Sequence, residues 1–125
     1  MIETISTSNA PAAIGPYVQA KKANGFIFVS GQLGLNPATG KLPEGGVAEQ
    51  TEQSLKNLEA ILNEAGSDMD HVLKTTCYLA EIADFKAFND VYAKHFSEYP
   101  ARACFAVKDL PAGALVEVEC VAAVK

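Results

Sequence analysis

The chain has 125 residues, 49% of them hydrophobic and 20% charged, with 10 Lys+Arg against 15 Asp+Glu for a net charge of −5. That length can bury about two thirds of its unfolded surface, so a single domain over residues 1–125 is expected, and a disordered tail, a collagen-like repeat and a disulfide miniprotein are excluded. The acidic balance argues against an electrostatic nucleic-acid binder, and no apolar run approaches the roughly 20 residues of a membrane helix.

Residues 2–6 are compatible with a short first strand. The stretch Asn9 to Pro16 holds two prolines and a glycine and reads as loop. Tyr17 to Lys21 reads as a strand, and Asn24-Gly25 is a strong hairpin signal before Phe26-Ile27-Phe28-Val29-Ser30, a β-rich run ending at Gly31. Gly34 to Gly46 carries four glycines and two prolines and must be loop. It looks like a phosphate loop only at a glance. Five residues separate Gly34 from Gly40, and Leu42 stands where the metal-binding hydroxyl should be.

Val47 to Ala65 is the clearest helix. Val47, Thr51, Leu55, Leu58, Leu62 and Ala65 recur on one face, with Asn57 among the polar residues of the other, and Gly66 supplies the stop. His71 to Leu79 follows as a strand with Leu73, Thr75, Cys77 and Leu79 on one face. Asp84 can cap a second helix carrying Phe85, Phe88, Tyr92 and Phe96. Arg102 to Val107 and Ala114 to Val124 read as strands around a turn at Pro111-Ala112-Gly113. The order β-β-β-α-β-α-β-β predicts an α+β fold, about six strands in a mixed sheet with two helices on one face. The last strand is inconsistent with a simple sheet. One face reads Val116, Val118, Cys120, Ala122, Val124; the other mixes Glu117 and Glu119 with Val121 and Ala123. A second subunit covering that face, with a polar pocket at one end, would resolve the conflict.

The three cysteines, Cys77, Cys104 and Cys120, are odd in number and widely spaced. They argue against a disulfide framework and for a reducing, cytoplasmic setting. The N-terminus shows no basic start with an apolar stretch, so no signal peptide is expected. No C-x-x-C occurs and His71 and His95 lack zinc-site spacing, so no metal site is expected. Arg102, flanked by apolar residues, offers a planar fork suited to a carboxylate. An ion pair with Glu117 or Glu119 would equally explain it. Glu117 and Glu119 share one side of a strand and could supply an acid or base, or could be solvated charges.

Ala10-Pro-Ala-Ala-Ile-Gly-Pro-Tyr17, Ser30-Gly31-Gln32, Asn89-Asp-Val-Tyr92, Pro100-Ala-Arg102-Ala-Cys104, Leu110-Pro111 and Val116-Glu117-Val118-Glu119 occur in that order. Together they resemble the RidA/YjgF family of reactive enamine/imine deaminases over essentially the whole chain. The resemblance implies a chorismate-mutase-like fold, a homotrimer with sites between subunits, and no cofactor. It implies hydrolysis of 2-aminoacrylate, 2-iminopropanoate and 2-iminobutanoate to 2-oxo acids and ammonia. By the same resemblance Arg102 would bind the substrate carboxylate, the backbone of Cys104 would help hold it, and Glu117 would orient water. Tyr17, Ser30, Gly31 and Asn89 would line or shape the pocket. Ala103 departs from the serine of many members, and the Tyr92–Pro100 connection is shorter than in some. Two other functions compete: a non-catalytic ligand-binding or regulatory protein of the same fold, and an endoribonuclease or translation inhibitor.

Overall fold

The computed structural model describes residues 1–125, and its elements follow the expected order. Strands β1 (Glu3–Ile5), β2 (Ala20–Ala23) and β3 (Phe26–Leu33) precede helix α1 (Val47–Glu64). Strand β4 (Val72–Leu79), helix α2 (Phe85–Tyr92), β5 (Ala101–Ala106) and β6 (Val116–Ala123) complete the chain. All six strands join one sheet in the order β1-β2-β3-β6-β4-β5. Only β4 and β5 run parallel, joined by a crossover through α2; the other pairs are antiparallel, so the sheet is mixed.

Both helices pack on the same side of the sheet as the buried residues of β6. Val116, Val118, Cys120 and Ala122 are each at most 3% exposed, and they meet Leu55, Leu58, Ile61 and Leu62 of α1, all 0% exposed. A fully buried aliphatic side chain of this kind stabilises by about 1.5–3 kcal/mol, so this layer supplies much of the driving force. The β2–β3 hairpin turns through Asn24 (φ 54°) and Gly25 (φ 82°), the positive pair that matches strand twist and that an Asn-Gly dipeptide adopts easily.

Several boundaries differ from the expectation, each for a visible reason. Tyr17–Gln19 stay in the loop, because the buried Gln19 side chain ties that loop together. Its Oε1 accepts from the Thr7 N–H at 2.7 Å, and its Nε2 donates to the Pro11 carbonyl at 2.8 Å. β3 does not end at Gly31 but runs to Leu33 through a bulge. Ser30 and Gly31 stand where Val29 pairs with Cys120 and Gln32 already pairs with Val118. β4 begins at Val72, and a second irregularity between Val72 and Lys74 turns Leu73 outward, 46% exposed, so Leu73 leaves the face of Thr75, Cys77 and Leu79. Asp84 occupies the N-cap position of α2, but its side chain makes no capping bond. The last strand starts at Val116, after a short 3-10 turn at Pro111–Gly113.

Asn57 corrects the reading of α1 most clearly. It is 1% exposed rather than on the solvent face, and its Nδ2 donates to the carbonyls of Leu33 (3.1 Å) and Leu35 (2.9 Å). Ser54 Oγ donates to the Gln32 carbonyl at 2.7 Å on the same helix face. Polar side chains of α1 thereby satisfy backbone carbonyls where β3 leaves the sheet.

Candidate functional site

The residues singled out from the sequence fall into two groups. Tyr17, Ser30, Gly31 and Glu117 line one cavity of about 840 Å³, together with Leu33, Pro111 and other apolar residues. The β3 bulge builds it. Ser30 Oγ donates to the Val18 carbonyl at 2.6 Å, and the Ser30 N–H donates to the Gln19 carbonyl at 2.9 Å. These bonds pin the Tyr17 loop against the strand. Gly31 leaves the space that Glu117 occupies. A Cβ at residue 31 would meet Glu117 Oε2 at 2.5 Å and Cδ at 2.8 Å.

Glu117 makes no ion pair within the chain. Burial, and secondarily the charge of Glu119, pushes its carboxyl above the usual glutamate range. Glu119, two residues on along the same face, instead accepts a hydrogen bond from the Tyr78 hydroxyl. The Tyr78 ring packs edge-on against Phe105, with centroids 5.5 Å apart. That bond to Glu119 raises the Tyr78 phenol to about 12, keeping it protonated.

The second group is Asn89, Arg102 and Cys104. Arg102 pairs with Thr75 and Cys104 with Cys77 across the parallel β4–β5 ladder. Thr75 and Cys77 are buried on the helix side, so Arg102 and Cys104 point to that side too. Arg102 Nη1 donates to Asn89 Oδ1 at 2.8 Å. Its guanidinium carbon stands 4.9 Å from the centroid of the Tyr92 ring and 5.6 Å from that of Phe85. The Tyr92 hydroxyl shares a 2.7 Å hydrogen bond with the buried Thr75 hydroxyl. A ring fixed from below and an amide at the side hold the guanidinium in place, a contact that a lysine ammonium would not reproduce. Burial raises the Cys104 thiol, the opposite of what a thiolate nucleophile needs.

Ion pairing of Arg102 with Glu117 or Glu119 is ruled out within the chain. Glu117 pairs with Tyr78 and Leu33, alternates with the buried Val116 and Val118, and therefore lies on the face of the sheet away from the helices. Arg102 is on the helix face, two strands over. His71 is held by Asp68 at 2.6 Å and His95 by Glu52 at 2.9 Å, and neither lines the Glu117 cavity.

Sequence reasoning did not single out Thr75, Tyr78 or Tyr92 as part of either group. Tyr92 read as one more member of an apolar helix stripe. Only the juxtaposition of α2 with the β4–β5 ladder reveals its hydroxyl partner and the cation above it.

The family model described as Endoribonuclease L-PSP matches residues 7–124. A 2-iminobutanoate/2-iminopropanoate deaminase from Capra hircus is 52% identical over 119 residues, 94% of this chain and 87% of that protein. A Lactococcus lactis protein named as a regulator, AldR, is 50% identical over 125 residues, 99% of each chain. The crystal structure of YyfA from Yersinia pestis, a member of the Rid protein family, superposes with a TM-score of 0.96 at 45% identity, covering 99% of this chain and 100% of that one. The α+β architecture is thus the chorismate-mutase-like fold. With its length, its motif order and its fold all in agreement, the chain belongs to the RidA/YjgF family.

Proposed function

We propose that this chain hydrolyses small 2-imino acids and their enamine tautomers to 2-oxo acids and ammonia, at sites formed between the subunits of a homotrimer. The observation that carries this reading is the division of the candidate residues. A carboxylate-binding fork without an acid partner lies on one face of the sheet. A free carboxyl in an open cavity lies on the other. A small substrate touches both only if they come from different copies. Phe26, Phe28, Leu73 and Phe105 are also between 43% and 53% exposed, large apolar side chains that self-association would cover. A closed ring of three identical, head-to-tail contacts would place each Glu117 cavity against the Arg102 of the next protomer.

In that arrangement Arg102 takes the substrate carboxylate through charge-assisted hydrogen bonds, each worth about 1.5–3 kcal/mol. A backbone group at Cys104 completes the grip. The enamine tautomerises to the imine by protonation at carbon. Glu117 orients a water beside the imine carbon and accepts its proton as the C–O bond forms. The resulting carbinolamine is protonated at nitrogen, and collapse of its hydroxyl to the carbonyl breaks the C–N bond and releases ammonia. Positioned acid–base help of this sort gives about 10²–10⁴-fold, which suffices where hydrolysis in solution is already quick. The named activity of the Capra hircus relative agrees with this reading.

The RNA cleavage in the family description is a poorer fit. The Glu117 cavity is lined by no Lys, Arg or His, and the chain carries a net charge of −5. The match over residues 7–124 supports one domain, and three free cysteines agree with a reducing cytoplasm. Threonine dehydratase can generate 2-iminobutanoate in the assay while 2-oxobutanoate is timed with and without this protein. Faster 2-oxobutanoate release is expected; an unchanged rate would overturn the deaminase reading and favour a binding or regulatory role.

A further inference from the structure

Two acids, Glu117 and Glu119, share one face of β6, yet they are held differently. Glu117 lies over Gly31 in the cavity, and Glu119 is drawn toward β4 by the Tyr78 hydroxyl. Tyr78 pairs with Glu117 in register, so it reaches diagonally to Glu119, and its ring is braced edge-on by Phe105 of β5. We propose that Tyr78 is a positioning residue for the site: by holding the Glu119 carboxylate it keeps that acid out of the water position and sets how strongly its charge bears on Glu117. This inference rests on the deaminase reading, which gives Glu117 its water.

The groups facing the acid pair are few. From β6 Glu119 itself faces Glu117, and from β4 come Tyr78, Thr76, which pairs with Glu119 in register but makes no hydrogen bond to it, and, further along, Lys74, which pairs with Val121 and makes no ion pair with either acid. From β3 come Ser30, Gly31 and Leu33, none ionisable, and across the cavity stands Tyr17. In the proposed trimer the next protomer adds Arg102. Tyr78 is thus the donor in the chain that spreads the charge of Glu119, a charge that acts on Glu117 secondarily to burial.

The sign of the effect is fixed by the chemistry. Tyr78→Phe keeps the ring and its Phe105 contact but removes the donor. The charge of Glu119 then acts on Glu117 undiminished, which raises the proton affinity of Glu117, so the acid limb of kcat/KM moves to higher pH. The strength of a hydrogen bond to an ionised acid sets the upper bound of that shift at about one to two pH units. Glu119→Gln removes the charge and moves the limb to lower pH; adding Tyr78→Phe to Glu119→Gln then moves it no further.

The experiment measures kcat/KM against pH on 2-iminobutanoate for the wild type, Tyr78→Phe, Glu119→Gln and the double variant, with carbon-13 carboxyl titration of the same proteins. An upward limb in Tyr78→Phe, matched by the Glu117 or Glu119 carboxyl signal and abolished in the Glu119→Gln background, supports the assignment. An active Tyr78→Phe whose limb and carboxyl signals do not move overturns it. Absence of turnover in the wild type overturns the deaminase reading instead, and the carboxyl titration then decides the Tyr78 role alone: unmoved signals reject it.

Discussion

Arg102 and Glu117 occupy opposite faces of one sheet, with β4 between their strands. Neither has an oppositely charged partner within its own chain. The guanidinium is oriented by Asn89 and Tyr92 but makes no ion pair, and the carboxyl faces a cavity.

The fork geometry matters more than the positive charge at residue 102. Arg102→Ala should raise KM by about 10- to 100-fold, the loss expected for a charge-assisted carboxylate contact. Arg102→Lys should be nearly as damaging, since an ammonium neither stacks flat on Tyr92 nor offers two parallel donors. Steady-state rates on 2-iminobutanoate check this, and wild-type kinetics in the lysine variant would contradict it.

Gly31 acts by what it lacks. In Gly31→Ala the new methyl would collide with Glu117 Cδ at 2.8 Å, and the flexible carboxylate arm, not the backbone, has to give. Misplacing the carboxyl proposed to orient water should lower kcat by about 10²-fold. The melting temperature should change little. A fully active Gly31→Ala would show that the position of Glu117 is unimportant.

Cys104 should be chemically silent. Its thiol is pushed upward by burial and lies beside the buried Cys77 in the ladder, so little thiolate exists at neutral pH. Cys104→Ala should keep most of the turnover. Loss of all activity in a variant with unchanged oligomeric state would give the sulfur a role that the geometry does not.

Much of the fold was readable from local pattern. The α1 stripe, the Asn24-Gly25 turn and the alternation of β6 each follow from short-range periodicity, and all reappear in the structure. What was misread depends on irregular pairing or on distant partners. The exposure of Leu73 comes from a slip between β4 and β6, and the extension of β3 past Gly31 comes from a bulge opposite β6. Neither leaves a mark in a window of ten residues. Asn57 looked like a surface residue because its partners, the Leu33 and Leu35 carbonyls, lie more than twenty positions away. The candidate site was legible as residue types through the family resemblance. Its partition into two faces was not, because periodicity within β5 and β6 says nothing of how the two strands are phased.

The most direct test mixes two impaired proteins and reads them at substrate well below the wild-type KM, where each alone is nearly silent. Arg102→Ala and Glu117→Gln subunits are unfolded together at equal amounts, refolded and assayed on 2-iminobutanoate. In a ring of three in which each site takes its arginine from one copy and its glutamate from the next, every mixed trimer holds one intact site, and about a quarter of wild-type activity returns. If both residues of a site came from the same chain, no intact site could form, and a mixture as inactive as its two components would contradict the account.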